Sequence, residues 1–391
     1  VRGYWCLATL LVATQLAAGT EAIVAEGGLW KQVSAFRSSG EAITRLQITA
    51  RGRVRVRGER GMNRVSGMLT KRVKAPSAAA AKPRLEPIQV TLQNQGGLLM
   101  VEVNGPDSDA LDLTLELTVP RHVRQTSIQT RWGGVDATDL DGAIFVESGG
   151  GTVRLDAIGQ DAVARTAGGE MRLGRIGGAV NCATGGGTIR ADLIGGNAEF
   201  STGGGEIWVR EARGTLRATT AGGSIHVESA AGEVVANSGG GVIEVAKAGG
   251  AVVATTIGGS IELGGGKDVQ CETSAGTIRL RGAEGALRAS TASGMILAEI
   301  PLGAVLSYSV LAAARGDIIV YLPSNLAVTV RARTEAAEGV WGRIISEFDE
   351  VQGHRDRRRF VRAEGRLNGG GPVLELAVTG GNIHLRRLKP E

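Results

Sequence analysis

The chain has 391 residues, 61 of them glycine and 9 proline, with 3% aromatics and a net charge of +5 from 44 Lys and Arg against 39 Asp and Glu. Glycine at this level would suit a low-complexity chain, but here it is locked to a fixed period and interleaved with Val, Ile and Leu, which argues for order. Three cysteines and four histidines are too few and too scattered for a disulfide framework or a histidine-rich ligand set.

At the start of the chain, Arg2 precedes an apolar stretch from Leu7 to Ala18, and Ala17, Ala18 and Gly19 offer a cleavage site before Thr20. Residues 1–22 therefore read as a signal peptide or, as the alternative, an uncleaved N-terminal anchor; the run is short for a membrane span. Either reading implies an exported protein in the periplasm, on the cell surface or in the medium.

Residues 23–120 read as an N-terminal β cap, because a solenoid must cover its exposed strand edge. Strands are expected around Leu46 to Arg57, Ile88 to Gln93, Leu98 to Val103 and Leu111 to Val119, with Pro76, Pro83 and Pro87 marking a connection. Arg51, Arg53, Arg55 and Arg57 alternate with Gly52, Val54, Val56 and Gly58, which predicts four guanidinium groups on one strand face. Between residues 51 and 74 the only acid is Glu59. One reading is a solvated face that discourages edge pairing. The sharper reading is contact with anionic envelope material such as lipid head groups or acidic glycans.

Residues 121–300 carry the repeat. Ten times between Thr130 and Ile296 the chain places Thr or Ser, two variable residues, Gly, one variable residue and an aliphatic residue, at a spacing of 18 residues with one step of 17. Each unit holds two short alternating runs, such as Ile207-Trp-Val209 and Leu216-Arg-Ala218, too short for helices and too short to stand alone. They predict an all-β, single-chain parallel β-solenoid of 18-residue coils, β-helix-like, with crossover chirality favouring the right hand. Strand parity turns the Thr/Ser column inward, with hydroxyls expected to satisfy turn N–H groups. The glycines of segments such as Ser238-Gly-Gly-Gly241 are expected to need positive φ or close approach between stacked corners. An inward column runs Val146, Ala164, Cys182, Phe200, Ala218, Ala236, Ala254, Cys271, Ala289, its one large side chain set between small neighbours.

Over residues 301–391 the period loosens into irregular final coils and a C-terminal cap, in which Gly316 to Pro323, Leu326 to Arg333, Leu374 to Val378 and Ile383 to Leu385 still alternate around a charged insertion from Arg343 to Arg362.

The order of parts resembles the bacterial putative-adhesin family of β-strand-repeat proteins, a domain of unknown function. The matching pieces are Gly52 to Gly58, the strand Leu115 to Pro120 leading into the repeats, the Thr-x-x-Gly-x-Ile units, Gly316 to Pro323, and the ending Leu367 to Pro372 with Gly381 to Leu385. The resemblance implies an exported β-helix-like solenoid, and it supplies no catalytic residues.

Chemistry is sparse. The outward column Asp136, Arg154, Arg172, Arg190, Trp208, His226, Glu244, Glu262, Arg279 mixes signs without a paired-carboxylate cluster, and no insertion between Val135 and Ile296 builds a groove wall. A degenerate polysaccharide-active enzyme is therefore the weakest of three readings. The leading one is a non-catalytic, adhesin-like envelope or surface interaction protein; the second is a periplasmic structural or stress-linked scaffold binding a protein partner. No cofactor or metal motif is present, since the Gly-rich turns carry no carboxylate. Nucleic acid is not an expected partner, because the basic face lacks interleaved aromatics. Trp208 is a candidate glycan contact, with burial under neighbouring Arg stems as the competing reading.

Overall fold

The computed structural model describes residues 22–38, 42–106, 110–335, 342–355 and 360–389. The expected leader thus lies, but for residue 22, outside the described residues. The chain divides into two compact units, Val1–Gly169 and Glu170–Glu391. In each, parallel strands stack in two sheets, as the 18-residue period requires.

The first unit contains β1 (Val24–Glu26), β2 (Leu29–Arg37), β3 (Arg45–Ala50), β4 (Arg53–Glu59), β5 (Ser66–Val73), α1 (Ala78–Leu85), β6 (Gln89–Gln95), β7 (Leu98–Asn104), β8 (Leu111–Pro120), β9 (Gln125–Thr130), β10 (Val135–Leu140), β11 (Ala143–Ser148), β12 (Val153–Ile158) and β13 (Ala162–Thr166). Consecutive pairs of strands form coils: β3 with β4, β7 with β8, β9 with β10, β11 with β12. One sheet runs β1-β2-β5-β8-β4-β10-β12. The other runs β6-β7-β3-β9-β11-β13. Both are parallel through the coils and antiparallel at the outer end, where short returns finish the edge.

The coils of this unit do not stack in chain order. The β3/β4 coil lies between β7/β8 and β9/β10. The cap also holds pieces not anticipated from the sequence, namely β1, β2, β5 and α1. The helix forms where the prolines suggested only a connection, because four alanines follow an N-cap: the Ser77 hydroxyl accepts from the Ala80 N–H at 3.3 Å. These outweigh Pro83 inside a helix of eight residues. Ala81 and Leu85 pack on Val73, and the buried Lys71 donates from Nζ to the Leu85 carbonyl at 3.3 Å, a cation at a helix C-terminus.

In the second unit the inward columns stay aligned from coil to coil, with irregularities of register where Lys267 and Val269 pair with their neighbours. Ile189, Ile207, Ile225, Ile243, Ile261, Ile278 and Ile296 align on one sheet. Cys182, Phe200, Ala218, Ala236, Ala254, Cys271 and Ala289 align on the other, all buried. Beyond them the coil order departs from chain order again. The strands Ser309–Arg315 and Ile318–Leu322 pair with Val373–Thr379 and Ile383–Arg387 near the end of the chain. Those in turn pair with the earlier strands Val328–Glu335 and Ile344–Ser346. Phe360–Leu367 then pairs antiparallel to Val328–Glu335, and the short strand His354–Arg355 lies antiparallel outside it.

The Thr/Ser column does more than satisfy its own turn. The Thr220 hydroxyl accepts from the Gly223 N–H at 3.1 Å and donates to the Gly205 carbonyl of the preceding coil at 2.9 Å. The same pair of bonds recurs at Ser148, Thr166, Thr202, Ser238 and Thr256. Each hydroxyl therefore ties a corner to its neighbour through groups that the sheet ladders do not reach. Thr220→Val keeps the shape but strands an N–H and a carbonyl, so it should lower stability by about 1–3 kcal/mol, with Thr220→Ser close to wild type. Equal denaturation midpoints for the Val variant and the parent would show that these bonds contribute nothing.

Candidate surface-contact site

The file of four arginines divides at a corner. In β4, Val54 and Val56 are buried while Arg53, Arg55 and Arg57 are exposed on the outer face, as alternation dictates. Arg51 does not share that face. It precedes the strand, half-buried in the corner between β3 and β4. The chain turns there because Gly52 lies against the Leu113 carbonyl, where a Cβ would collide.

Over the outer face of β4 runs a groove of about 990 Å³ bordered by Arg55, Arg57, Asp136, Asp156 and Met68, whereas Phe36 turns to the inner face beside Leu117. Phe36 is seated over Gly67, its cross-strand partner, in the space that a Cβ would occupy. The groove is not uniformly cationic, in contrast to the expectation from the sequence. Glu116 of β8 pairs with Arg55 at 2.7 Å, and Asp112 pairs with Arg72 at 3.5 Å. Lys31 bonds Glu26 at 3.1 Å and, with Arg72 behind it, holds that carboxyl below the usual range. Arg121 makes the same kind of contact with Asp141 at 2.7 Å. The acids come from strands distant in sequence, so counting charges along residues 51–74 did not find them.

On the second unit, Trp208 stands in register between Arg190 and His226, half-buried. No guanidinium stands over its ring among the described residues. Guanidinium groups stand over rings at Phe348, by Arg387 at 4.6 Å, and at Phe360, by Arg362 at 5.4 Å. Arg190 instead helps Arg172, the main cause, to lower the pKa of Glu170. Further along this column side chains bond across coils, His226 Nδ1 with Glu244 at 3.1 Å and Arg279 with Glu262 as an ion pair at 2.9 Å. Such pairing occupies the outward carboxylates rather than gathering them at one point.

Another tryptophan, Trp132, is the more open one, 67% exposed at the corner that follows β9. Its position was legible: it stands in the corner slot that the next coil fills with Gly150. Among the described residues no group of three or more His, Cys, Asp or Glu is placed to hold a metal ion. Nor is any described helix long and apolar enough to cross a membrane.

No protein-family model and no curated protein matches the chain. Similar solved structures include a putative cell adhesion protein from Clostridium sporogenes, at 10% identity or less: 9% identical, covering 92% of this chain and 99% of its own, with a TM-score of 0.20. A putative adhesin from Bacteroides fragilis is 10% identical and covers 91% of this chain and 97% of its own, with a TM-score of 0.20. For a putative adhesin from Parabacteroides distasonis the values are 8%, 90% and 97%, with a TM-score of 0.27. Identities and TM-scores this low carry no argument about this chain, whose β-solenoid fold rests on its own strand registers.

Proposed function

We propose that this is a non-catalytic, exported, adhesin-like solenoid that contacts anionic envelope or surface material through the outer face of β4. The observation that supports this reading is the row of exposed Arg53, Arg55 and Arg57 with the exposed apolar Met68 on the same face. Cations set next to apolar surface suit an interface that is charged at its boundary and apolar behind it. Co-sedimentation with phosphatidylglycerol vesicles tests it. Changing Arg53, Arg55 and Arg57 together to Glu should weaken binding at least about tenfold, and added salt should weaken the wild type. Binding that survives both treatments rules the reading out.

The acids facing these arginines, Asp136 and Asp156, favour a second reading. In it the groove belongs to a periplasmic scaffold and takes a protein partner of mixed charge. Crosslinking in isolated envelopes separates the two: a discrete protein adduct at the groove supports the scaffold.

A further inference from the structure

The corner at Arg51 faces a different surface from the β4 groove, and it brings together residues that lie far apart in the chain. Ala50 pairs with Thr130, so Arg51 and Arg131 follow equivalent positions on adjacent coils, about 4.8 Å apart along the stack. Glu147 pairs with Gln129 on one side and with Arg165 on the other. Between these residues is a hollow of about 630 Å³, bordered by Arg51, Arg131, Arg165, Glu147, Gln129 and Thr49. Three arginines and one carboxylate thus border the same hollow, and that carboxylate accepts from Gln129 Nε2 at 3.3 Å. The next residue after Arg131 at this corner, Trp132, is 67% exposed and lies outside the hollow's lining. The next coil has Gly150 in that slot, which has no side chain to cover the indole.

We infer that this corner is a binding site for an acidic polysaccharide. Such a chain presents carboxylate or sulfate groups at intervals, alternating with the apolar faces of its rings and with hydroxyls. The corner offers the complement. Arg51, Arg131 and Arg165 take the anionic groups as charge-assisted hydrogen bonds. Trp132 takes a ring face, since an exposed indole is a large rigid apolar platform with a polar edge. Thr49, Gln129 and Glu147 can exchange hydrogen bonds with hydroxyls. A lipid head group has no ring face for the indole in an ordinary anionic vesicle, and a single-stranded nucleic acid calls for successive aromatics along its track, where this corner has one. Glu147 also disfavours a ligand whose polar groups are all phosphates.

The site is separate from the β4 groove, so the two can fail independently. The experiment is a titration of the full chain with polygalacturonate, with neutral dextran, a thymidine oligonucleotide and phosphatidylglycerol vesicles as comparison probes. The wild type should bind polygalacturonate and not neutral dextran. Trp132→Ala alone and Arg131→Gln with Arg165→Gln should each weaken binding at least about tenfold, with Trp132→Phe near wild type. These side chains lie on the surface, and unchanged circular dichroism would show that the coils persist. With Arg53, Arg55 and Arg57 reversed, Trp132→Ala should still weaken polygalacturonate binding about tenfold relative to that background, because the corner lies apart from the groove. The inference fails if polygalacturonate does not bind, if Trp132→Ala binds as well as wild type, or if the oligonucleotide or vesicles compete for the corner as strongly as the polysaccharide.

Discussion

Replacing Phe200 by alanine is expected to destabilise the second unit by about 3–5 kcal/mol. Phe200 is 1% exposed, and its register partners on the adjacent coils are Cys182 and Ala218. A narrow coil balances one large side chain against small ones above and below, so neither neighbour can fill the space that the ring leaves. The loss should appear as a lower denaturant midpoint. Stability in a repeat fold is approximately a sum over coils and their interfaces, so hydrogen exchange should rise first in the strands Val180–Thr184, Ala198–Thr202 and Leu216–Thr220. Phe200→Leu should recover most of the difference. An alanine variant as stable as the parent would mean that the ring does not support the core.

A comparable loss, about 3 kcal/mol, is expected for Gly223→Ala. A Cβ at Gly223 would run into the carbonyl of Gly205, the same carbonyl that accepts the Thr220 hydroxyl. The obstacle is backbone, which cannot swing aside as a side chain can, so the corner must separate from its neighbour. The adjacent glycine is the control. A Cβ at Gly222 would meet nothing within 4 Å, and Gly222→Ala should change stability by no more than about 0.5 kcal/mol. Similar effects from the two changes would show that stacking of the corners is not what holds glycine in this column.

That pair of glycines shows what the repeat made legible and what it left open. The sequence marks every corner and every inward column, and the registers follow it residue by residue from Ile189 to Ile296. It allowed two reasons for glycine, positive φ or close approach, and at Gly223 only the carbonyl of Gly205 decides. Arg51 was placed with the β4 arginines because alternation alone cannot reveal a corner, and this corner lacks the Thr or Ser that marks the others. The counter-charges were hidden for a similar reason. Glu116 reaches Arg55 from 61 positions away, and nothing in the local pattern announces which coil lies alongside.

The coils at the ends are out of order for that reason too: apolar alternation suits any parallel neighbour, so it cannot say which coil is next. This arrangement bears on how the molecule is finished. Regular coils join segments about one repeat apart, and such short closures let structure spread as the chain emerges. The terminal segment Val373–Arg387 is different, since Asn382 bonds Asp317 across 65 positions, and its strands separate two coils made before it. Until it arrives, the strands on either side of that slot lack their shared neighbour. This segment is thus a keystone set between coils made before it, and removing it would lose the join between those coils rather than a loose strand.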